Sequence, residues 1–520
     1  FALERLNICT IHGLMGGGAA ALNDAFIKNA NLKYICYHHE QAAGYGALAE
    51  ARLNKRWAVL NPTTGCGGTN SLTPVLNAWQ DSVPLVVISG NVPRNTCAEF
   101  INEEIGVDLR CFGIQEHHIV RTVQSVTKFS STIKSVDDVI PKFIQAFAIA
   151  MSGRKGPVWL DIPQNIQAGL MDNKSCQKLD DIENIVHKAS SLYVTPSHSV
   201  VARSHLIRSL KASRRPMILL GGGAANSRST IKTVNKFVKL TNIPVVTTYA
   251  GTSVISHEYE YYLGCIGVKG GRVANYQVQN CDFLLVLGSR LPFAAIGYDI
   301  SSFASNAKIC VVEIDRNEIQ KNEYHFGEKV THLHGDINEV VTTLLGSNLS
   351  LKFDNHWHQK CAALATKWET IKQNKDIFNY DEISIYNVME ELNNKAYDDK
   401  VFVSDAGSIS YVAPVVLRYV PSRTFIFSPA QADMGCALPS AIGISTSNPD
   451  KKVICVTGDG SFMSNMQELA VLKYHQPNII LILLNNNGYL SITNTQKNNF
   501  DNRLYGESNG RGLAFPNYKI

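Results

Sequence analysis

Two apolar runs that end in polar turns hold the residue types best suited to chemistry. Val453-Ile454-Cys455-Val456-Thr457-Gly458-Asp459-Gly460-Ser461 is a buried-strand pattern closed by a glycine turn with one carboxylate. Ile479-Ile480-Leu481-Ile482-Leu483-Leu484 runs in the same way into Asn485-Asn486-Asn487-Gly488-Tyr489. In a parallel sheet both ends lie on the carboxyl edge, where ligands bind. A carboxylate, a side-chain amide and a backbone carbonyl are all oxygen donors. Hard Mg2+ or Ca2+ takes such a set when phosphate oxygens complete its shell, and a helix opening after Ser461 aims free N–H groups at the same place. Singly, a Gly-Asp-Gly turn and an Asn-rich loop are ordinary strand endings. Together, each closing an apolar strand, they point to a cation held against a phosphate.

The pattern resembles the diphosphate-binding motif of thiamine diphosphate-dependent enzymes. By that resemblance Asp459 and Asn486 are side-chain ligands of Mg2+, Gly488 contributes its carbonyl, and Gly458, Gly460, Ser461 and Tyr489 line the cofactor. The N-terminal block must then supply a glutamate to the aminopyrimidine ring, whose nitrogen N1′ it engages so that the thiazolium carbon can lose its proton. The candidate is Glu40 in Cys36-Tyr37-His38-His39-Glu40-Gln41-Ala42-Ala43, although a glutamate opening a helix is also simply favoured by the macrodipole. His-Glu-Gln, the glycine turn Asn61-Pro62-Thr63-Thr64-Gly65-Cys66-Gly67-Gly68-Thr69-Asn70, Gly156-Pro157-Val158-Trp159-Leu160-Asp161-Ile162-Pro163 and the motifs above occur in order. As a series they resemble the acetolactate synthase-like branch over essentially all 520 residues. Gly16-Gly17-Gly18-Ala19, Leu22-Asn23-Asp24-Ala25 and Thr495-Gln496 are similar to members associated with bacterial surface polysaccharides and unusual sugars.

The same resemblance assigns further residues. In Gln431-Ala432-Asp433-Met434-Gly435, Met434 is the apolar wedge beneath a bent cofactor and the Ala432 carbonyl faces its 4′-amino group. Gly407, Ser408 and Ile409 after Asp405 donate to the diphosphate, and Gln115 is a substrate-facing amide. In flavin-containing relatives the middle domain binds FAD through segments comparable to Gly221-Gly222-Gly223, Arg290, Asp315 and Asp336. Other relatives keep that domain without flavin, so FAD stays an open expectation, and a glycine turn after a strand is weak evidence by itself.

The implied reaction is decarboxylation of a 2-oxo acid, pyruvate by default, with carboligation of the acyl unit to a carbonyl acceptor. Acetolactate synthases proper carry an aromatic residue, a lysine, a methionine and a tryptophan where this chain has Ile114, Gln164, Ser491 and Thr495. The smaller, polar Gln164, Ser491 and Thr495 suit a hydroxylated acceptor such as a keto-sugar. Cys66 stands where relatives usually have proline, and is read as a small turn residue. The rivals are acetolactate synthesis itself, simple decarboxylation, flavin-linked oxidation, and a non-catalytic homologue serving as subunit or scaffold. The joint presence of Glu40, Met434, Asp459 and Asn486 argues against a scaffold. The resemblance also implies a homodimer or homotetramer, with the glutamate-bearing domain of one chain facing the diphosphate domain of another.

The elements that must position these residues alternate short Val/Ile/Leu runs with longer amphipathic stretches, as in parallel sheets covered by helices. The rhythm restarts at Arg215-Pro216-Met217 and at Lys400-Val401-Phe402. We therefore expect an α/β chain of three doubly wound parallel-sheet domains: a pyrimidine-binding domain over 1–172, a middle domain over 190–346 and a diphosphate-binding domain over 380–520. Polar stretches near 172–200 and 346–382 read as linkers that can contain helix. The opening at Phe1 inside a helical pattern implies preceding turns or a short leader, and the family's third domain continues well past Phe515-Pro516-Asn517-Tyr518, implying a C-terminally incomplete domain.

Composition sets the outer limits. With 49 Lys plus Arg against 44 Asp plus Glu and no long basic run, nucleic acid is an unexpected partner. Twelve cysteines without metal-ligand spacing, mostly in apolar runs, fit a reducing, cytoplasmic location. Neither a signal-like leader nor a membrane span stands out.

Overall fold

The computed structural model describes residues 1–171, 177–192, 200–347, 351, 355–369, 383–395, 400–420 and 424–516. Three sheets organise them. The first contains β1 (Thr10–Gly13), β2 (Lys33–Cys36), β3 (Ala58–Asn61), β4 (Leu85–Asn91), β5 (Phe129–Thr132) and β6 (Val158–Pro163), in the order β2-β1-β3-β4-β6-β5. Its pairings are parallel, and β3, β4 and β6 are buried along their whole length, as Val/Ile/Leu runs covered on both faces should be.

The middle sheet contains β7 (Pro216–Leu220), β8 (Val245–Thr247), β9 (Tyr262–Cys265), β10 (Phe283–Leu287), β11 (Lys308–Glu313) and β12 (Val330–His334), ordered β12-β11-β10-β7-β8-β9. Counted from its first strand this is the 3-2-1-4-5-6 order of dinucleotide-binding sheets. The last sheet is β13 (Lys400–Ser404), β14 (Thr424–Ile426), β15 (Lys452–Gly458) and β16 (Ile479–Leu484), ordered β14-β13-β15-β16. Its 2-1-3-4 order repeats the start of the first sheet, a kinship the sequence alone leaves open.

The chain forms two compact units. One comprises residues 1–194, 401–406 and 426–520, the other residues 195–400 and 407–425. In the first unit the helix Glu40–Asn54 packs on the helix Ala437–Ser447. Small residues make the approach close: a Cβ on Gly443 would lie 2.5 Å from the Gly46 carbonyl oxygen. Tyr37, Tyr45, Leu48, Leu438, Ile442 and Phe462 share one core there. Arg52 on the first helix reaches the Phe427 carbonyl, Asn77 and Asp81, and Asn77 donates to the Ser428 hydroxyl at 2.8 Å.

Both presumed linkers carry helices that pack against a core. Ile182–Ser191 sets Ile182 and Val186 on the first sheet's core, and Asn355–Lys367 sets Trp357 and Cys361 on the middle sheet's. Segment Thr195-Pro196-Ser197 and residues Asn517 and Tyr518 lie outside the described residues. The eleven described cysteines are free thiols. Among the described residues no helix is long and apolar enough to cross a membrane.

Candidate active site

Strands β15 and β16 run parallel in register through Gly458 opposite Leu484, so their following turns leave the sheet side by side. Asp459 opens the short helix Asp459–Met463 and is buried. Its Oδ1 accepts the Gly460 N–H at 2.8 Å and its Oδ2 accepts the Gly488 N–H at 3.0 Å, which joins the two turns. The Asn486 amide faces Asp459 Oδ1 at 3.2 Å and the Gly488 carbonyl oxygen at 2.7 Å. With nitrogen turned in, the amide donates to both. With oxygen turned in, three oxygens converge, an arrangement that a hard cation relieves. The donor set therefore fits Mg2+. Gly488 has φ +159 and a Cβ there would meet the Glu507 carbonyl oxygen at 2.3 Å, while a Cβ on Gly460 would strike the Tyr489 ring at 2.2 Å. Ser461 is buried behind this turn.

Asp405, at the end of β13, anchors the neighbouring segments. It accepts from the Thr457 hydroxyl at 2.6 Å and the Cys436 N–H at 3.0 Å, and burial pushes its carboxyl up to about 6 against these bonds. Immediately after it, Gly407 has φ +83 and precedes the helix Ser408–Val416, which contains Ile409 and belongs to the second unit. Ala432 and Gly435 both have positive φ and flank Met434, which is 39% exposed despite its apolar side chain. Asp433 between them is buried and bonded to Asn77, Ser428 and Gln431.

On the first sheet the order changes direction between β1 and β3, which places the crevice at the turns after these strands. The turn Gly16–Gly18 packs on Thr63 and Thr64, and a Cβ on Gly16 would lie 2.5 Å from Thr63. Glu40 is the first residue of its helix and only 5% exposed. Its Oε2 accepts from Asn70 at 3.0 Å, and a Cβ on Gly67 would come within 3.2 Å of its Oε1. The Cys66-Gly67-Gly68 turn thus makes room for the carboxylate. Gln115 is exposed with φ +61, its carbonyl pressed on Gly65. The adjoining Glu116 is structural, accepting the Ala98 and Gly113 N–H groups at 2.6 and 3.0 Å.

Of the residues read as acceptor-facing, Ile114 is exposed, the Gln164 amide donates to the Gly17 carbonyl at 2.8 Å, and the Thr495 hydroxyl donates to the Ser491 carbonyl at 2.9 Å. Asp161, not singled out by its sequence, is fully buried beneath this edge, bonded to Ser89 at 2.6 Å and Asn91 at 2.7 Å. Desolvation lifts it to about 7. Its only sequence signal was a charge inside the apolar run Trp159-Leu160-Asp161-Ile162.

In the middle sheet the direction changes between β7 and β10, and Gly221–Gly223 follows the first of these strands while Arg290 follows the second. A Cβ on Gly221 would meet the Gly288 carbonyl oxygen at 2.2 Å, so close passage of two backbones already requires glycine there. Asp315 and Asp336 each cap a helix, through the Asn317 N–H at 2.9 Å and the Asn338 N–H at 2.8 Å. The crevice's place in the fold fits a dinucleotide; these side chains by themselves do not distinguish one.

Family models for the thiamine pyrophosphate enzymes match three stretches: the N-terminal binding domain over residues 2–127, the central domain over 204–344 and the C-terminal binding domain over 405–518. The chain is 30% identical to acetolactate synthase isozyme 2 large subunit of Escherichia coli (strain K12), over 93% of this chain and 81% of that one. It is 29% identical to the isozyme 1 large subunit of the same organism, over 93% and 80%. To acetolactate synthase 3, chloroplastic, of Brassica napus it is 31% identical over 93% and 71%. The chain therefore belongs to the thiamine pyrophosphate enzymes, in their acetolactate synthase-like group.

Proposed function

We propose that the chain binds thiamine diphosphate with Mg2+, decarboxylates a 2-oxo acid, pyruvate in the first instance, and joins the remaining acyl unit to a carbonyl acceptor. The observation that carries this reading is the meeting of Asp459, Asn486 and the Gly488 carbonyl at the carboxyl edge of β15 and β16. Thiamine diphosphate supplies, when bound, the acidic carbon centre that this chemistry needs. Asp459, Asn486 and Gly488 hold the cation. Gly458, Gly460, Ser461 and Tyr489, with Gly407, Ser408 and Ile409, line the diphosphate. Met434 and the Ala432 carbonyl support the ring system, and Glu40 holds a proton at ring nitrogen N1′. Gln115 faces the substrate.

The acceptor is a hydroxylated ketone rather than a second small oxo acid, since Gln164 and Thr495 offer polar atoms where an aromatic or cationic surface is the alternative. The working unit is a homodimer or homotetramer. Phe112, Ile114 and Met434, large apolar side chains 60%, 85% and 39% exposed, give a second copy a surface to cover. The bounds 1–172, 190–346 and 380–520, a cytoplasmic location, and FAD at Gly221–Gly223, Arg290, Asp315 and Asp336 belong to the same proposal. Flavin absorbance of the purified protein decides the last of these.

The test is release of labelled CO2 from carboxyl-labelled pyruvate with thiamine diphosphate and Mg2+, with and without keto-sugars or 2-oxobutyrate. Stimulation by a keto-sugar supports the reading; stimulation by 2-oxobutyrate alone returns the chain to acetolactate-type synthesis. No release from a cofactor-loaded protein removes pyruvate as donor.

A further inference from the structure

Glu468 is outside every site residue named above, yet it is completely buried. Its two carboxylate oxygens lie 3.2 and 3.3 Å from the His38 N–H nitrogen. The His39 N–H and the Gln467 amide also donate to it. A buried carboxylate lacking such donors would be strongly destabilising. The two backbone N–H groups come just before the helix Glu40–Asn54, where no turn of that helix can satisfy them. Glu468 therefore acts as a cap supplied from the third sequence block.

Every residue of the turn from Tyr37 to Glu40 is tied. The Tyr37 hydroxyl meets His12 Nδ1 at 3.1 Å, and His12 Nε2 meets Glu50 Oε2 at 2.7 Å, an oxygen that also accepts the Thr10 hydroxyl at 2.5 Å. The His39 ring accepts the Gln41 N–H at 3.2 Å, and Glu40 accepts from Asn70. The tie from Glu468 comes out of the same stretch that begins with Asp459.

We propose that Glu468 is a positioning residue: by gripping the His38 and His39 N–H groups it sets where the helix opening with Glu40 begins, and so how the Glu40 carboxylate is presented to the cofactor ring. This rests on the reading of Glu40 as the partner of ring nitrogen N1′. Loss of the grip leaves the cation ligands in place and slows the step that Glu40 governs.

The experiment compares Glu468→Ala, Glu468→Gln, Glu468→Asp and Glu40→Gln in the full chain. It reads thermal melting, thiamine diphosphate and Mg2+ binding by calorimetry, and the rate at which the C2 proton of bound thiamine diphosphate exchanges with deuterated solvent. Glu468→Ala should slow exchange about tenfold or more while cofactor affinity stays within about threefold. Glu468→Gln keeps one oxygen acceptor and should recover most of the rate. Unchanged exchange in folded Glu468→Ala overturns the proposal, as does equal slowing in the Ala and Gln variants accompanied by weakened cofactor binding. If the Ala variant does not fold, Glu468→Asp decides: its shorter carboxylate cannot reach both N–H groups, so slowed exchange supports the role and unchanged exchange overturns it. If Glu40→Gln abolishes exchange and Glu468→Ala leaves it unchanged, the positioning role alone falls. If exchange survives Glu40→Gln, the reading of Glu40 falls and takes the proposal with it.

Discussion

Glu40 sits in a pocket built by omission, since Gly67 leaves out the one carbon that would crowd its Oε1. Glu40→Gln is expected to cut turnover about 10²- to 10⁴-fold with thiamine diphosphate affinity nearly unchanged, as read by steady-state rates and calorimetry side by side. Gly67→Ala should lower turnover in the same direction by crowding the Thr63 methyl at 2.8 Å and the carboxylate at 3.2 Å; wild-type rates in that variant would show that both side chains can give way. On the acceptor side, Thr495→Trp is expected to shift preference toward small oxo acids in competition assays, and an unaltered preference would remove Thr495 from the acceptor pocket. Asp459, Asn486 and Glu40 were legible in the sequence because each closes or follows a short apolar run. Asp161 left only a charge inside an apolar run and Glu468 left no local mark, because the partners of both carboxylates are far along the chain. Their identity depends on burial and on donors contributed by other elements.

At the scale of elements, the helix Glu40–Asn54 shows how composition serves position. Within its run of Ala42, Ala43, Gly44, Gly46 and Ala47, Gly46 admits the helix Ala437–Ser447 at backbone contact, whereas Gly44 makes room for Pro74 and Leu60. Gly443→Ala should destabilise the first unit by about 1–3 kcal/mol through overpacking against Gly46. A melting temperature equal to wild type would mean the helices can part without cost. Strand positions followed from Val/Ile/Leu runs, and three parallel sheets followed from their alternation with helical stretches. Strand order did not, since the crossover between β1 and β3 leaves no local trace. The stretches read as linkers that can contain helix do contain it, but the packing of that helix was hidden: Ile182 and Val186 lie one helical turn apart, and the polar residues around them mask that narrow apolar stripe.

For the whole molecule, the route of the chain matters as much as its parts. Segment 407–425 returns to the second unit, where the Tyr419 N–H donates to His257 Nδ1 at 2.9 Å and the His257 N–H to the Tyr419 carbonyl at 2.7 Å. Desolvation, with Arg418 adding to it, depresses the His257 imidazole to about 4. The fold thus favours the neutral ring: its contribution is fully present above the ordinary value of 6.5 and is lost as pH falls toward 4. The melting temperature should accordingly fall over that window, and His257→Asn, which keeps an acceptor without titrating, should flatten the fall. An identical pH dependence in the variant would assign the acid sensitivity elsewhere.

The packing of the Glu40 helix on the Ala437 helix also sets a timetable for biosynthesis. The Ser440 hydroxyl meets the Tyr45 carbonyl across 395 residues of sequence. At translation speeds of about 5–20 residues per second, that interval lasts roughly 20 to 80 s. Throughout it, the apolar face bearing Ala42, Ala43 and Tyr45 waits on the ribosome without its cover. Until the last block is made, that face is exposed surface of the kind on which large chains misassemble.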